Sequence, residues 1–153
     1  MTETYTKPLP EITSDNKPYF DGLNEGRLML QRCADCGHID YQNPKVVVGS
    51  VVVSDGRILM CRRAIEPRRG FWTLPAGFME NGESTWEGAA RETLEEAGAR
   101  VEILHLYSLI NLPDISQVYL MFRARLLDTD FVAVDESLDV RLFEETEIPW
   151  NAL

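Results

Sequence analysis

The stretch GFMENGESTWEGAARETLEEAGA, which runs from Gly77 to Ala99, decides the fold of this chain. Ser84 followed three residues later by Glu87 is a capping-box pattern, in which the two side chains satisfy free backbone N–H groups at the start of a helix. Gly98 is of a residue type that commonly ends a helix. The stretch therefore predicts a glycine-rich turn followed by one helix that stops at Gly98.

The predicted helix has two chemically different sides. Successive residues are rotated by about 100° around a helix axis, so residues three and four apart share a side. One side gathers Trp86, Ala90, Thr93, Leu94 and Ala97, and the opposite side gathers Glu92, Glu95 and Glu96 beside Gly88 and Ala89. We expect the first side to pack against a sheet and the second side to present carboxylates.

The neighbouring glutamates call for a compensating cation, because like charges at these spacings repel each other. Arg91 is one candidate, since it can reach Glu95 one turn further on or Glu83 just before the helix. A hard divalent cation bound by oxygen ligands is the other candidate. The alternative interpretation is an ordinary solvated acidic face.

Length and charge limit the classes of protein and partner. A chain of 153 residues suits one domain with a sizeable core and a small appendage. Its net charge of −10 argues against a broad basic surface for nucleic acid or an anionic membrane. The sequence has no apolar run of about 18 residues and no signal-peptide pattern, so we expect a cytoplasmic protein without nucleic-acid or membrane partners.

The three cysteines do not form a disulfide framework, which favours a reducing compartment. Cys61 lies in an apolar strand pattern and is interpreted as a buried thiol. Cys33 and Cys36 form a Cys-x2-Cys-Gly turn between two short strands, which is half of a tetrahedral zinc site. Because His38 lies too close to Cys36 for a usual ligand spacing, we favour a metal-free hairpin and keep zinc at Cys33 and Cys36 as the alternative.

The chain divides into three predicted segments: an extended arm at 1–25, a hairpin at 26–44 and the main domain at 45–153. The β-branched run from Lys45 to Ser54 predicts a central strand. Further strands are predicted at 57–62, 71–75, 101–110, 117–126 and 140–143, with an acidic loop at 128–139 and a final helix or turn at 144–151. Strands before and after one helix imply an α/β (α+β) class, with a mixed sheet and the helix on one face.

A local basic cluster precedes the predicted helix in this otherwise acidic chain. The cluster consists of Arg62, Arg63, Arg68 and Arg69. Arginine holds phosphate oxygens through paired donors, so these residues are candidates for substrate binding. The alternative is a set of surface charges that balance nearby glutamates.

The central stretch resembles the Nudix box, G-x5-E-x7-R-E-U-x-E-E-x-G-U, in which U is an aliphatic residue. Gly77 and Glu83 fill the first two fixed positions, and the run from Arg91 to Ala99 supplies the rest. Thr93 departs from the pattern because it replaces an aliphatic residue, and Ala99 is a small one. The resemblance is highly specific because every fixed position is present.

The Nudix resemblance implies a mixed sheet between helices and hydrolysis of a nucleoside diphosphate linked to another group. It implies that Mg²⁺ or Mn²⁺ is held by Glu92, Glu95 and Glu96 with the main-chain carbonyl of Ala76, while Arg91 and Glu83 brace the site. The carboxylate that acts as base is either a box glutamate or one on a distant loop. Glu136 is the loop candidate, and a solvated acid is its alternative interpretation.

The likeness extends to CGHIDYQNPKVVVG (36–49), CRRAIEPRRGFWTLPAGFMENGE (61–83), SQVYLMF (116–122) and ESLDVRLFEETEIPW (136–150). These segments resemble a Nudix subgroup with an N-terminal zinc ribbon that is associated with FAD and ADP-ribose pyrophosphatase activity. The ribbon's first cysteine pair is missing here, which implies a degenerate, zinc-ribbon-like hairpin. The chain ends where related proteins continue into a C-terminal helix, so we expect that helix to be truncated and leave a homodimer open.

Pro113 lies fifteen residues after Gly98, a spacing similar to that of members that cleave ADP-ribose. The leading prediction is therefore a pyrophosphatase that splits FAD or ADP-ribose into AMP and a second phosphate ester. The alternative substrates are NADH and nucleoside triphosphates. A sensor that binds ADP-ribose without cleavage and a nucleic-acid-binding zinc module are the alternatives from other classes, and the intact box glutamates and the acidic charge disfavour both.

Overall fold

A seven-stranded mixed sheet with a long helix on one face carries the fold. The computed structural model describes residues 29–32, 36–37 and 39–153. The described elements are β1 (Met29–Arg32), β2 (Ile39–Gln42), β3 (Lys45–Ser54), β4 (Arg57–Arg63), β5 (Trp72–Thr73), β6 (Ala76–Phe78), α1 (Thr85–Ala97), β7 (Val101–Leu112), β8 (Gln117–Leu126) and β9 (Ser137–Phe143). Short 3₁₀ turns cover Pro113–Ile115, Glu145–Glu147 and Trp150–Ala152.

The sheet has the strand order β5-β4-β3-β8-β7, while β6 pairs with β3 and β9 pairs with β4. The β3–β8 pair is parallel and the other pairs are antiparallel, so the predicted mixed sheet is confirmed. β3 lies at the centre, as its β-branched run predicted, and its Val48 and Val52 are fully buried. Among the described strands, β7 is an outer strand that pairs with β8 alone.

β6 is a strand that sequence reasoning missed, because a short segment containing glycine has no strand propensity of its own. It pairs with β3 at Gly49, where an added Cβ would lie 2.6 Å from the carbonyl oxygen of Pro75 and would also collide with Ala76. Gly49 therefore allows the close approach that aligns β6 beside the central strand.

Both predicted ends of α1 are confirmed. Ser84 and Glu87 form the capping box, and the Glu87 carboxylate accepts a hydrogen bond of 2.8 Å from the Ser84 backbone N–H. Gly98 adopts the left-handed conformation at φ 58° and donates its N–H to the Leu94 carbonyl. These local interactions satisfy backbone groups that a helix end leaves free.

The predicted core face of α1 is wrong for its two largest residues. Trp86 is 59% exposed and Leu94 is 49% exposed, whereas Ala89, Thr93 and Ala97 are buried. The buried side carries small residues because these allow the helix to lie close to the sheet. On the second side, Glu92 and Glu96 are buried, and Glu95 alone of the three box glutamates is exposed.

Two groups of buried side chains form the core. Val48, Ala89 and Phe122 pack together under the helix. The second group comprises Val52, Leu59, Cys61, Ala97, Ala99 and Ala124. Cys61 is buried, as expected, and this burial raises the pKa of its thiol to about 12.

The chain divides into two compact units between Asn43 and Pro44. In the first unit β1 and β2 form an antiparallel pair, as expected for the hairpin, and Cys36 is exposed. The predicted arm at 1–25, Cys33 and His38 lie outside the described residues, so zinc at Cys33 and Cys36 stays a prediction. The predicted final helix or turn takes the form of two 3₁₀ turns, and no described helix is long and apolar enough to cross a membrane.

Candidate active site

An open cavity of about 720 Å³ lies within the second unit, where α1 and β6 meet the loop between β4 and β5. Acidic, basic and aromatic side chains share its walls. They include Glu80, Glu92, Glu95, Glu96, Glu136, Arg63, Arg68, Arg91, Phe71, Trp72, Phe78 and Tyr119. A cavity with both charge signs and flat aromatic rings suits a ligand that has anionic and aromatic parts.

Arg91 is the centre of an ion-pair network on one wall. Its Nε and Nη2 atoms donate to the two carboxylate oxygens of Glu83 at 2.9 and 2.8 Å. Its Nη1 atom donates to Glu92 at 2.7 Å and to Glu95 at 2.9 Å, and Nη2 also reaches the Phe78 carbonyl. One guanidinium therefore ties the helix to β6 and to the turn that precedes the helix.

Glu83 is held in its ionised form by this network. Hydrogen bonds from Arg91, followed by one of 2.7 Å from the Glu80 backbone N–H, lower the pKa of Glu83 to about 2. Glu83 is thus a permanent anion that anchors Arg91 rather than a group that exchanges protons near neutral pH.

The pKa values of Glu96 and Glu92 are raised, unlike that of Glu83, because both carboxylates are buried. Burial raises the pKa of Glu96 to about 7, and the charges of Glu92 and Glu136 add to this effect. The Ala76 backbone N–H, which donates to Glu96 at 3.1 Å, and Arg63 oppose it. Burial also raises the pKa of Glu92, against the lowering effect of Arg91.

Two glycines make room for these carboxylates. A Cβ on Gly77 would collide with the Glu92 carboxylate, and a Cβ on Gly88 would lie 2.6 Å from Oε1 of Glu83. Because these two glycines have no side chain, the charged carboxylates of the site can pack close to the backbone.

Thr93 occupies a box position that is usually aliphatic. It pairs with Ser50, a residue that the sequence did not single out. Its hydroxyl donates to the Ala89 carbonyl at 2.7 Å and hydrogen-bonds to the Ser50 hydroxyl, and both side chains are fully buried. A serine inside the valine run of β3 was the available signal. This pair of hydroxyls links α1 to β3, and Thr93 lies between Glu92 and Glu96 along the helix.

The arginine-rich loop between β4 and β5 forms the opposite side of the cavity. Arg63 donates to the Pro67 carbonyl at 3.0 Å, and the Arg68 guanidinium lies 4.7 Å from the centre of the Phe71 ring. Arg62 donates to the Gly70 carbonyl at 2.9 Å. These contacts hold the loop in shape, and Arg68 also donates to the Leu153 carbonyl. Arg63 and Arg68 both line the cavity.

The structure brings most of the predicted site residues together. Those on the cavity are Ala76, Arg91, Glu92, Glu95, Glu96, Glu136, Arg63 and Arg68, and Glu83 lies behind Arg91. Arg62, Arg69 and Pro113 are not among the lining residues. Sequence reasoning missed the aromatic residues Phe71, Trp72 and Tyr119, which come from separate segments and share no local motif.

The donors on the acidic wall fit a hard divalent cation, which prefers carboxylate and carbonyl oxygens. Glu92 and Glu96 are two buried carboxylates, and burial is the main cause of their raised pKa values. Within residues 29–32, 36–37 and 39–153, no three acidic, histidine or cysteine side chains converge into a preformed site. Arg91 forms ion pairs with both Glu92 and Glu95, so these two carboxylates already have a cationic partner.

Comparisons with known families and structures identify the main domain and a short segment before it. Residues 43–152 match the NUDIX domain, and residues 20–41 match the ChsH2 rubredoxin-like zinc ribbon domain. The crystal structure of a NUDIX hydrolase from Nitrosomonas europaea is 56% identical with a TM-score of 0.76, over 82% of this chain and 77% of that chain.

Two curated relatives extend the comparison. An ADP-ribose pyrophosphatase from Methanocaldococcus jannaschii is 27% identical over 113 residues, which is 71% of this chain and 67% of the relative. A human 8-oxo-dGDP phosphatase is 35% identical over 108 residues, which is 68% of this chain and 33% of the relative. The chain thus spans about two thirds and one third of the lengths of these relatives.

Proposed function

Because this chain belongs to the Nudix family of pyrophosphohydrolases, we propose that it hydrolyses the pyrophosphate bond of FAD or ADP-ribose. The products are AMP and the second phosphate ester. The observation that carries the proposal is the cavity in which the acidic wall of α1 faces Arg63 and Arg68. Such a site suits a diphosphate flanked by two bulky groups.

The arginines and aromatic rings position the substrate in this proposal. Arg63 and Arg68 offer N–H donors to phosphate oxygens, and the fixed loop geometry limits the entropy lost on binding. Phe71 and Trp72 offer flat faces on which a nucleobase or a flavin can stack. The Trp72 ring is itself held by an edge-to-face contact with Phe143 at 4.8 Å between ring centres.

Glu92, Glu95 and Glu96, with the Ala76 carbonyl, would hold divalent ions such as the Mg²⁺ or Mn²⁺ that Nudix enzymes generally use. Held by these residues, such ions would offset charge on the phosphates and would lower the pKa of the attacking water. A carboxylate takes a proton from that water as oxygen attacks phosphorus, and the bridging oxygen leaves on the other phosphate.

Glu96 and Glu136 are the two candidates for the base. Glu136 lines the cavity, and its carbonyl accepts a hydrogen bond of 2.8 Å from the Ala64 N–H, which fixes the backbone at this position. The charge of Glu136 is close enough to raise the pKa of Glu96. Comparing the pH–rate profiles of Glu136→Gln and Glu96→Gln separates them, because loss of the base removes the acidic limb of the profile.

The archaeal relative, named an ADP-ribose pyrophosphatase, supports ADP-ribose as a substrate. The human relative is named an 8-oxo-dGDP phosphatase, so free nucleotides are also tested as substrates. NADH, nucleoside triphosphates and binding without cleavage are the remaining alternatives, and each is an outcome of the same experiment.

The experiment is a hydrolysis panel of FAD, ADP-ribose, NADH and nucleoside triphosphates with Mg²⁺ and with Mn²⁺, followed by chromatography of the products. We expect FAD or ADP-ribose to have the highest kcat/KM and AMP to be a product. Glu96→Gln should lower kcat at least about 100-fold, whereas Glu145→Gln, an exposed glutamate outside the cavity, should leave kcat unchanged. Binding of ADP-ribose without turnover of any substrate would instead identify a sensor.

A further inference from the structure

Four residues on three neighbouring strands form one part of the cavity wall. Val47 of β3 pairs with Phe78 of β6 on one side and with Tyr119 of β8 on the other. Gln117 lies two positions before Tyr119 on β8, and residues two apart in a strand share a face of the sheet. All four line the cavity, and they come from other segments than the arginine-rich loop. We refer to Val47, Phe78, Gln117 and Tyr119 as the Phe78 arm.

Phe78 has the most accessible ring on the cavity. Its side chain is 50% exposed, whereas the other aromatic residues of the cavity are less exposed. The Lys45 ammonium lies 4.9 Å from the centre of the Phe78 ring, and Lys45 does not line the cavity, so it leaves the cavity side of the ring uncovered. The Phe71 ring differs, because the Arg68 guanidinium that covers it is itself on the cavity. Phe78 is therefore the ring best placed to stack on a ligand.

The Phe78 arm begins beside the acidic wall. The preceding residue, Gly77, has no room for a Cβ because the Glu92 carboxylate lies against it. The Phe78 carbonyl accepts a hydrogen bond of 3.1 Å from Nη2 of Arg91. In a nucleotide, one sugar separates the base from the phosphate. A diphosphate held at the acidic wall can therefore place its nucleobase on the Phe78 arm.

Gln117 supplies the hydrogen-bonding groups that a nucleobase needs. It is the one side-chain amide among the described residues that line the cavity. Within the described part of the chain, its carboxamide has no hydrogen-bond partner. A carboxamide offers an acceptor next to a donor, which matches the neighbouring N6 donor and ring-nitrogen acceptor of adenine. Gln117 is thus suited to pair with one edge of adenine.

We propose that the Phe78 arm is the nucleobase subsite, in which adenine stacks on Phe78 and pairs with the carboxamide of Gln117. This subsite rests on the proposed hydrolysis of FAD or ADP-ribose, because adenosine is the part that these two substrates share. The flavin or the second sugar then lies toward the arginine-rich loop. Gln117 is accordingly a specificity-determining residue, and Phe78 is the platform for the base.

Calorimetric titration of the full-length chain with AMP and with GMP, in the presence of Mg²⁺, tests the pairing. In Gln117→Glu the carboxylate has acceptors and no donor, so it matches the neighbouring N1 and N2 donors of guanine and loses the donor for adenine. The ratio of the dissociation constant for AMP to that for GMP should rise at least about 10-fold relative to the wild type. A purely structural role would weaken both nucleotides equally, so an unchanged ratio overturns the assignment of Gln117.

Phe78→Leu tests the stacking. AMP and GMP should both bind about 10-fold more weakly, because either base loses the aromatic face on which it stacks. The matched control is Tyr107→Leu, which removes a 64% exposed ring of β7 outside the cavity and should bind both nucleotides as the wild type does. Unchanged affinity in Phe78→Leu, or a wild type that does not bind AMP, overturns the subsite.

The substrate panel separates the subsite from the reaction. If the change in base preference appears but neither FAD nor ADP-ribose is hydrolysed, the subsite stands and the proposed hydrolysis fails. If ADP-ribose is hydrolysed with the same kcat/KM by Gln117→Glu and the wild type, the reaction stands and the pairing with Gln117 is overturned.

Discussion

Glu96 is a buried carboxylate whose ionisation acts against folding when no metal is bound. Its pKa is raised to about 7 in the folded chain, mainly by burial. An unfolded chain binds this proton more weakly, so the stabilising effect of the protonated form is complete below the unfolded pKa and is lost as pH rises through about 7. A cation at the site would remove the conflict.

We therefore expect the metal-free wild type to lose stability between about pH 5 and pH 8, relative to Glu96→Gln, by on the order of 2–3 kcal/mol. Urea unfolding in EDTA at several pH values measures this difference. The control Glu145→Gln should follow the wild type, since Glu145 is exposed. Parallel pH curves for the wild type and Glu96→Gln would contradict the assignment of the raised pKa to Glu96.

At the level of elements, α1 is attached to β3 by a pair of buried hydroxyls. The Thr93 proton is used in the bond to the Ala89 carbonyl, so Ser50 is the donor in the bond between the two hydroxyls. Removing Ser50 leaves Thr93 with one bond, whereas removing the Thr93 hydroxyl leaves a buried Ser50 donor unsatisfied.

Thr93→Val should consequently destabilise the fold by about 1–3 kcal/mol, and Ser50→Ala by less. The double variant should lose less stability than the sum of the single variants, because no buried donor then lacks an acceptor. Urea unfolding of all four proteins measures the coupling. Strict additivity would mean that the two hydroxyls do not depend on each other.

Elements with local signals were predictable from the sequence. The capping box and Gly98 defined both ends of α1, and the bounds of β3 and β8 match their predicted ranges. The core side of α1 was only partly predictable by hydrophobicity: Thr93 and Ala97 are buried as expected, but Ala89 is also buried, while Trp86 and Leu94 are about half exposed. The burial of a helix depends on how closely it approaches the sheet, and that distance is set by residues far away in sequence.

For the whole molecule, the acidic wall was predictable and the rest of the cavity was not. Glu92, Glu95 and Glu96 belong to one helix, so their spacing reveals a common side. Trp72 and Tyr119 reach the cavity from β5 and β8, and only the completed sheet brings them together. Long-range contacts of this kind leave no periodic signal in a single sequence.

Divalent metal should stabilise the folded chain as a whole, because the oxygen donors converge only after folding. At a free concentration of about 100 times the dissociation constant, Mn²⁺ should add about 2.7 kcal/mol to the free energy of unfolding. Thermal melts with and without Mn²⁺ measure the gain. Glu92→Gln should lose most of it and Glu145→Gln should keep it; an equal gain in both variants would remove Glu92 from the metal site.

The parallel pair of β3 and β8 has a consequence for synthesis on the ribosome. Lys45 pairs with Gln117, so the central strand has its neighbour on that side only after most of the chain has been translated. During that interval the valine-rich β3 has one open edge, and long-range pairing of this kind is slow to form. The order of translation thus makes β8 the step that completes the pairing of the central strand, and nascent chains that stop before it expose a segment prone to aggregation.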